Sequence, residues 1–197
     1  MEQVYWHQGL TIRQLGHNQV PQIHELMLDV VSRLPDDVLF AADEENYFHK
    51  VMQQNGEIYG AFEKDKDKLM AYTVLACPGT TENNLGREFG VPEEELSRVW
   101  ILDSTIVHES VRGRGLQRYF NQLREERAKA LGGLYLYSTV HPDNKASIRN
   151  LEAAKLKLQF SRPMYGGLPR HCFAKKTLAK KPDFPLRKSG FCHRSMR

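Results

Sequence analysis

Arg112-Gly113-Arg114-Gly115 puts two guanidinium groups and two glycines in four consecutive positions, directly ahead of Leu116-Gln117. Glycine accepts positive φ and lets a ligand approach the main chain, while the arginines add formal positive charge. Such a turn grips an anion when it opens a helix, because the first amides of a helix lack partners and carry the positive end of its dipole. Two familiar phosphate loops are excluded. A Walker loop ends in Gly-Lys-Ser/Thr, which Gly115-Leu116-Gln117 does not supply, and a dinucleotide fingerprint needs a third glycine where Arg118 stands. The expected guest is therefore a pyrophosphate of another kind.

The elements around the turn fit that role. Val99 to Val107, VWILDSTIV, is nearly continuous in β-branched and apolar residues and reads as a buried central strand. After the turn, Leu116, Tyr119, Phe120, Leu123, Ala130 and Leu131 recur at helical spacing, with polar residues on the opposite side. Upstream, Leu10 to Leu15 reads as a strand, Asn18 and Pro21 open a helix through about Ser32, and Ala42 to Gln54 is a second helix. Glu57 to Glu63 and Leu69 to Ala76 read as strands joined by the charged turn Lys64 to Asp67. Residues 78 to 93 form a long loop suited to border a substrate pocket, ending in a short helix at Glu93 to Ser97. Downstream come a strand at Tyr135 to His141, a helix from Asn144 to about Leu158, and strands at Leu158 to Tyr165 and His171 to Lys176.

The block from Val99 to Leu131 resembles the acetyl-coenzyme-A-binding motif of the GNAT superfamily of N-acetyltransferases. Arg112 and Gly115 match that motif; Gln117 stands where the family prefers glycine or alanine. The block from Tyr135 through Pro142-Asp143-Asn144-Lys145-Ala146-Ser147 is similar to the family's fifth strand and following helix, in the same order. The resemblance implies an α/β fold with a mixed, mostly antiparallel central sheet of about seven strands, flanked by helices and splayed between its fourth and fifth strands. It implies acetyl-CoA as acetyl donor and no metal. The cofactor set it points to is Val107, Arg112, Gly113, Arg114, Gly115, Leu116, Gln117, Asn144 and Ser147.

The chemistry so implied is acetyl transfer to a primary amine by direct attack. An ammonium must lose a proton before its nitrogen attacks the thioester, and the oxyanion then needs a donor, for which a backbone N–H near Val107 serves. Asp103 is the candidate base. It lies four residues before Val107, and strand alternation puts both on one face. Binding the substrate ammonium or capping neighbouring backbone is an equal alternative for Asp103, and His108 and Glu109 are alternative bases. Many members of the family carry a tyrosine acid seven residues after the opening Asn; here that position is Leu151, and a later Gly-Phe pair is Lys155-Leu156. Ser147, Tyr165 or water must then protonate the leaving thiolate, or it leaves without specific help.

Composition sets the frame. The chain has 197 residues, 41% of them hydrophobic, enough for one core. No apolar run spans a bilayer, and Met1-Glu2-Gln3 starts no signal segment, so a cytoplasmic location without membrane partners is expected. Cys77, Cys172 and Cys192 lack metal-like spacing and read as free thiols. Residues 170 to 197 carry nine Lys or Arg against the single acid Asp183, within a net charge of +4. The expected division is a catalytic domain over 1–178 and a basic tail over 179–197. Two other functions compete with the enzyme: an acyl-CoA-binding module that has lost catalysis, suggested by Leu151 and Gln117, and nucleic-acid association through the tail. The acceptor amine and a homodimeric state stay open.

Overall fold

Leu69–Ala76 is buried along its whole length, which in a sheet requires cover on both faces, and the rest of the molecule is arranged around that strand. The computed structural model describes residues 4–34, 37–63 and 67–177. In chain order these form β1 (Val4–His7), β2 (Leu10–Gln14), α1 (Val20–Val31), α2 (Glu45–Gln53), β3 (Glu57–Glu63), β4 (Leu69–Ala76) and β5 (Val99–Val107). They continue with α3 (Leu116–Ala130), β6 (Tyr135–Val140), α4 (Lys145–Ala153), β7 (Lys157–Met164) and β8 (Leu168–Lys176). The strands make one sheet in the order β1-β2-β3-β4-β5-β6-β8-β7.

That is eight strands where about seven are expected, and the expected fourth and fifth strands are β5 and β6. The additional β1 escaped pattern reading because its apolar residues do not share an inward face: Val4 and Trp6 are 46% and 64% exposed, and only Tyr5 packs inward. It is joined to β2 by Gln8 and Gly9, both at positive φ, the geometry of a tight hairpin turn.

Helices cover both faces. Ile23, Met27 and Val30 of α1 and Phe48 of α2 pack on Ile58, Tyr72 and Ile106. On the opposite face Phe120 and Leu123 of α3 meet Ile12 and Ala71, and Leu151 of α4 joins Trp100, Leu102 and Leu136. The expected loop over residues 78 to 93 contains a 3-10 turn, Leu85–Phe89, and the short helix that follows is 3-10 over Glu93–Arg98. The helix expected to reach Leu158 stops at Ala153: Lys155 takes a φ of 66°, and the Leu156 N–H returns to the Leu151 carbonyl. None of the described helices is long and apolar enough to cross a membrane. Most of the turn at 64–67, Cys192, and the expected boundary and tail after 178 lie outside the described residues.

Two irregularities in β5 shape the site. Its pairing with β6 is the sheet's one parallel pairing among the described strands, and it lasts only from Val99–Tyr135 to Ile101–Tyr137. Beyond that the strands part. Against β4 the register jumps from Thr73–Thr105 to Leu75–Leu102, so Asp103 and Ser104 together oppose Val74 in a β-bulge.

Candidate active site

The glycine turn leads into the first turn of α3 with Gly113 at φ 78° and Gly115 at φ 69°. Its carbonyls face the protein: Gly115 O accepts from the Tyr119 N–H at 3.0 Å, and Arg114 O meets His7 Nε2 at 2.7 Å, tying the turn to β1. Its amides do not. No acceptor among the described residues takes the N–H groups from Gly113 to Gln117, which leaves them for an anion. A Cβ at Gly113 would touch nothing within 4 Å, so glycine is required there by φ and not by space.

From this turn a cavity of about 790 Å³ runs along the open edge of β5 to the start of α4, past Val107, Gln117 and Asn144. The His108 N–H donates to the Met70 carbonyl, which makes Val107 and Ala71 a wide pair. The N–H and C=O of Val107 therefore point away from β4, into the gap that β6 leaves. Arg112 Nε donates to that carbonyl at 3.2 Å, joining the turn to the strand edge.

Deeper in, a second cavity of about 520 Å³ fills the splay between β5 and β6. At its centre Tyr47 of α2 donates its hydroxyl to Asp103, and Asp43 lies close enough for the two carboxylates to influence each other. Burial pushes Asp103 up to about 6 against the opposing pull of the Arg124 guanidinium. Burial, and then the charge of Asp103, push Asp43 up to about 7. Arg124 lies on the other side of the bulge and is 2% exposed. Its Nη1 donates to Val74 O at 2.9 Å and to Asp103 O at 3.0 Å, and its Nη2 to Asn121 Oδ1 at 2.6 Å. It thereby satisfies carbonyls on both strands of the bulge.

The bulge also corrects the expectation that Asp103 and Val107 share a face. Trp100 and Leu102 pack toward α3 and α4, as Val107 does, whereas Ile106 packs toward α1 and α2. The extra residue reverses the alternation, so Asp103 faces α2 and Tyr47 while Val107 faces α3. The two still border one continuous space because the splay opens the edge between them.

The remaining sequence candidates fall into place unequally. Asn144 caps α4, its Oδ1 accepting from the Ser147 N–H at 3.0 Å. Gln117 donates to Ser147 Oγ and accepts from Asn150 Nδ2, locking α3 to α4 at the floor of the cavity. Gly113, Gly115, Leu116, Gln117 and Asn144 all line the outer cavity; Ser147 lines the inner one. Arg114 also reaches back toward Gln8 O. Glu109 is not a base: Arg33 forks onto both its oxygens and holds it down at about 2. His108 bonds Ser110 Oγ, away from Asp103. Leu151 is 3% exposed and is a packing residue that also touches the inner cavity. Tyr165 lines that cavity with its hydroxyl on Thr139 Oγ1 at 2.9 Å. Asp43, Tyr47 and Arg124 were missed from the sequence, since they lie on elements distant in sequence whose convergence no local spacing records.

A third cavity, about 650 Å³, opens between α2 and the loop after β4, with Cys77, Glu82 and Glu88 on its wall. Tyr47, Asp103 and Tyr165 border it and the inner cavity alike. Asp103 thus stands where two approaches meet.

A splayed pair of central strands, a bulge at the splay and an amide-lined turn on the adjoining helix define the GNAT acetyltransferase fold, and solved structures share it. The phosphinothricin acetyltransferase of the GNAT superfamily from Sinorhizobium meliloti, solved with acetyl-CoA, is similar with a TM-score of 0.63 at 14% identity, over 90% of this chain and 96% of that one. The ribosomal-protein-S18-alanine N-acetyltransferase of Escherichia coli gives 0.62 at 14%, over 90% and 99%. The ribosomal-protein-S5-alanine acetyltransferase of Vibrio fischeri gives 0.67 at 11%, over 91% and 100%. No family model matches the chain, and no curated protein matches it. At these identities the likeness establishes the fold.

Proposed function

We propose that this chain is an acetyl-CoA-dependent N-acetyltransferase that passes acetyl to a primary amine by direct attack in a ternary complex. The observation that carries the reading is that Asp103 stands between the inner and the third cavity, while the inner cavity shares Gln117 and Asn144 with the outer one that begins at the glycine turn. The amides from Gly113 to Gln117, with Arg112 and Arg114, fit the diphosphate of the donor. The edge of β5 at Val107, left open by β6, fits the amides of its pantetheine arm, and Asn144 and Ser147 complete the wall.

The carboxylate of Asp103 takes a proton from the acceptor ammonium, and the freed nitrogen pair forms the C–N bond at the thioester carbon. A backbone N–H near Val107, on the open edge of β5, is the donor for the developing oxyanion. As the C–S bond breaks, the nitrogen sheds its second proton to solvent, and the departing thiolate takes up the first from the Tyr47–Asp103 pair. A carboxylate pushed up to about 6 suits both halves of that exchange near neutral pH.

Calorimetry with coenzyme A, followed by thiol release with acetyl-CoA and a panel of amines, tests the reading. Gly115→Val should weaken coenzyme A binding at least about tenfold while the melting profile stays that of a folded protein, because the side chain obstructs approach to the amides and φ is strained. Equal affinity in the folded variant moves the donor site elsewhere. Tight binding with no turnover on any amine replaces the enzyme by a non-catalytic acyl-CoA-binding module.

A further inference from the structure

Three arginines, Arg124, Arg162 and Arg170, line the inner or the third cavity, and Arg112 joins the turn to the strand edge; they differ in what meets their charge. Arg124 engages two carbonyls and an amide oxygen through Nη1 and Nη2, while its Nε is sealed in the core without a partner and does not reach the cavity. Arg162 forks onto Glu88 at 2.9 and 2.6 Å. Arg112 lies at the turn assigned to the diphosphate. Arg170 differs. It is 3% exposed, and only its Nη1 is engaged, by the carbonyls of Val38 at 3.1 Å and Pro169 at 3.0 Å. Nε and Nη2 have no acceptor among the described residues, and unlike Arg124 Nε they are not sealed off from the cavity. No carboxylate among the described side chains pairs with Arg170. A buried cation in that state is costly unless a ligand supplies the anion.

Tyr165 places Arg170 relative to the carboxylates. The guanidinium lies 5.8 Å from the centre of the Tyr165 ring, and the Tyr165 hydroxyl feels the positive charge of Arg170 together with the negative charges of Asp103 and Asp43. The cavity therefore presents an unanswered cation and a pair of carboxylates across one tyrosine, within about 520 Å³. We propose that the acceptor is an amino acid or a close analogue, its ammonium received by Asp43 and Asp103 and its carboxylate paired by Arg170. This inference rests on the acetyltransferase reading above for what happens to the bound amine, but the binding it asserts is measurable without catalysis. The fork of a guanidinium matches a carboxylate better than any neutral group, so the site selects against amines that lack one.

The experiment uses the full chain, with and without coenzyme A, and titrates amino acids alongside their decarboxylated amines and their amides by calorimetry; thiol release is followed in parallel. At least one amino acid should bind about tenfold to a hundredfold more tightly than its decarboxylated and amide counterparts, with a matching advantage in KM. Arg170→Gln should abolish that preference and leave coenzyme A affinity unchanged; Arg170→Lys should keep part of it. The proposal is overturned if no amino acid binds in either state, if amines, amides or peptides with free amino termini bind as well or better, or if Arg170→Gln keeps the full preference. The wild-type comparison decides even where a variant fails to fold. Amino-acid binding without any coenzyme A binding would keep the acceptor site and remove the acetyltransferase reading instead.

Discussion

Asp103 and Asp43 show how one residue type takes two values from its surroundings. Both are pushed above the ordinary carboxylate range by burial, and Asp103 is pulled back by Arg124 while Asp43 is pushed further by Asp103. Asp103→Asn should lower kcat about a hundredfold with little change in coenzyme A affinity, and should remove the rise in rate as pH climbs through about 6. A pH–rate profile at saturating donor checks it, and an unaltered limb would make Asp103 a ligand for the ammonium and not its base. Asp43 has a thermal consequence as well. Its folded value lies above the unfolded one, so the native state binds the extra proton and stability falls as pH rises from about 4 to about 7. Asp43→Asn removes that loss and should raise stability at pH 8 on the order of 2 kcal/mol after solvent screening, with no gain near pH 4. Melting at both pH values measures the difference. The sequence identified Asp103 from its place in a strand, yet Asp43 and Tyr47 were invisible in it. Their importance comes from where the chain between α1 and α2 is carried in space, and no spacing rule reports that.

At the scale of elements, helix and strand identities followed from periodicity, because α3 and β4 bury whole faces and the burial is written into residue type. The failures have physical causes. β1 is four residues long and packs only Tyr5 of its apolar residues against the core, too little for a pattern to mark it. The bulge in β5 is a register event between two strands, and a single strand's sequence does not contain it. That bulge decides which face Asp103 occupies, and Arg124 holds it. Truncating that side chain leaves Val74 O and Asp103 O without their buried donor. Arg124→Met should cost about 2–4 kcal/mol of stability. It should also move the pH limb assigned to Asp103 above about 6, since the cation that opposes burial is gone. Chemical denaturation reads the first effect and the rate profile the second. A loss of stability with an unmoved limb would confine Arg124 to packing.

For the whole molecule, what matters is that two separately walled cavities lead toward Asp103. The outer cavity enters beside the α3 turn, and the third cavity enters between α2 and the loop after β4. The splay makes this geometry, because β5 and β6 pair over only three residues and leave a passage where a continuous sheet would have a wall. Two substrates arriving by separate routes can be held together, so the proposed transfer needs no acyl-enzyme intermediate. Cys77 is the one described cysteine on the wall of that third cavity, and it supplies the sharpest test of this point. A mechanism that stored acetyl on a thiol would release coenzyme A before the amine bound and would give parallel initial-rate lines. The two-entrance geometry instead predicts intersecting lines, coenzyme A competing with acetyl-CoA but not with the amine, and a Cys77→Ser variant within about threefold of wild-type turnover. Parallel lines together with an inactive Cys77→Ser protein would put a covalent thioester in place of direct attack, while leaving the donor cavity where the fold puts it.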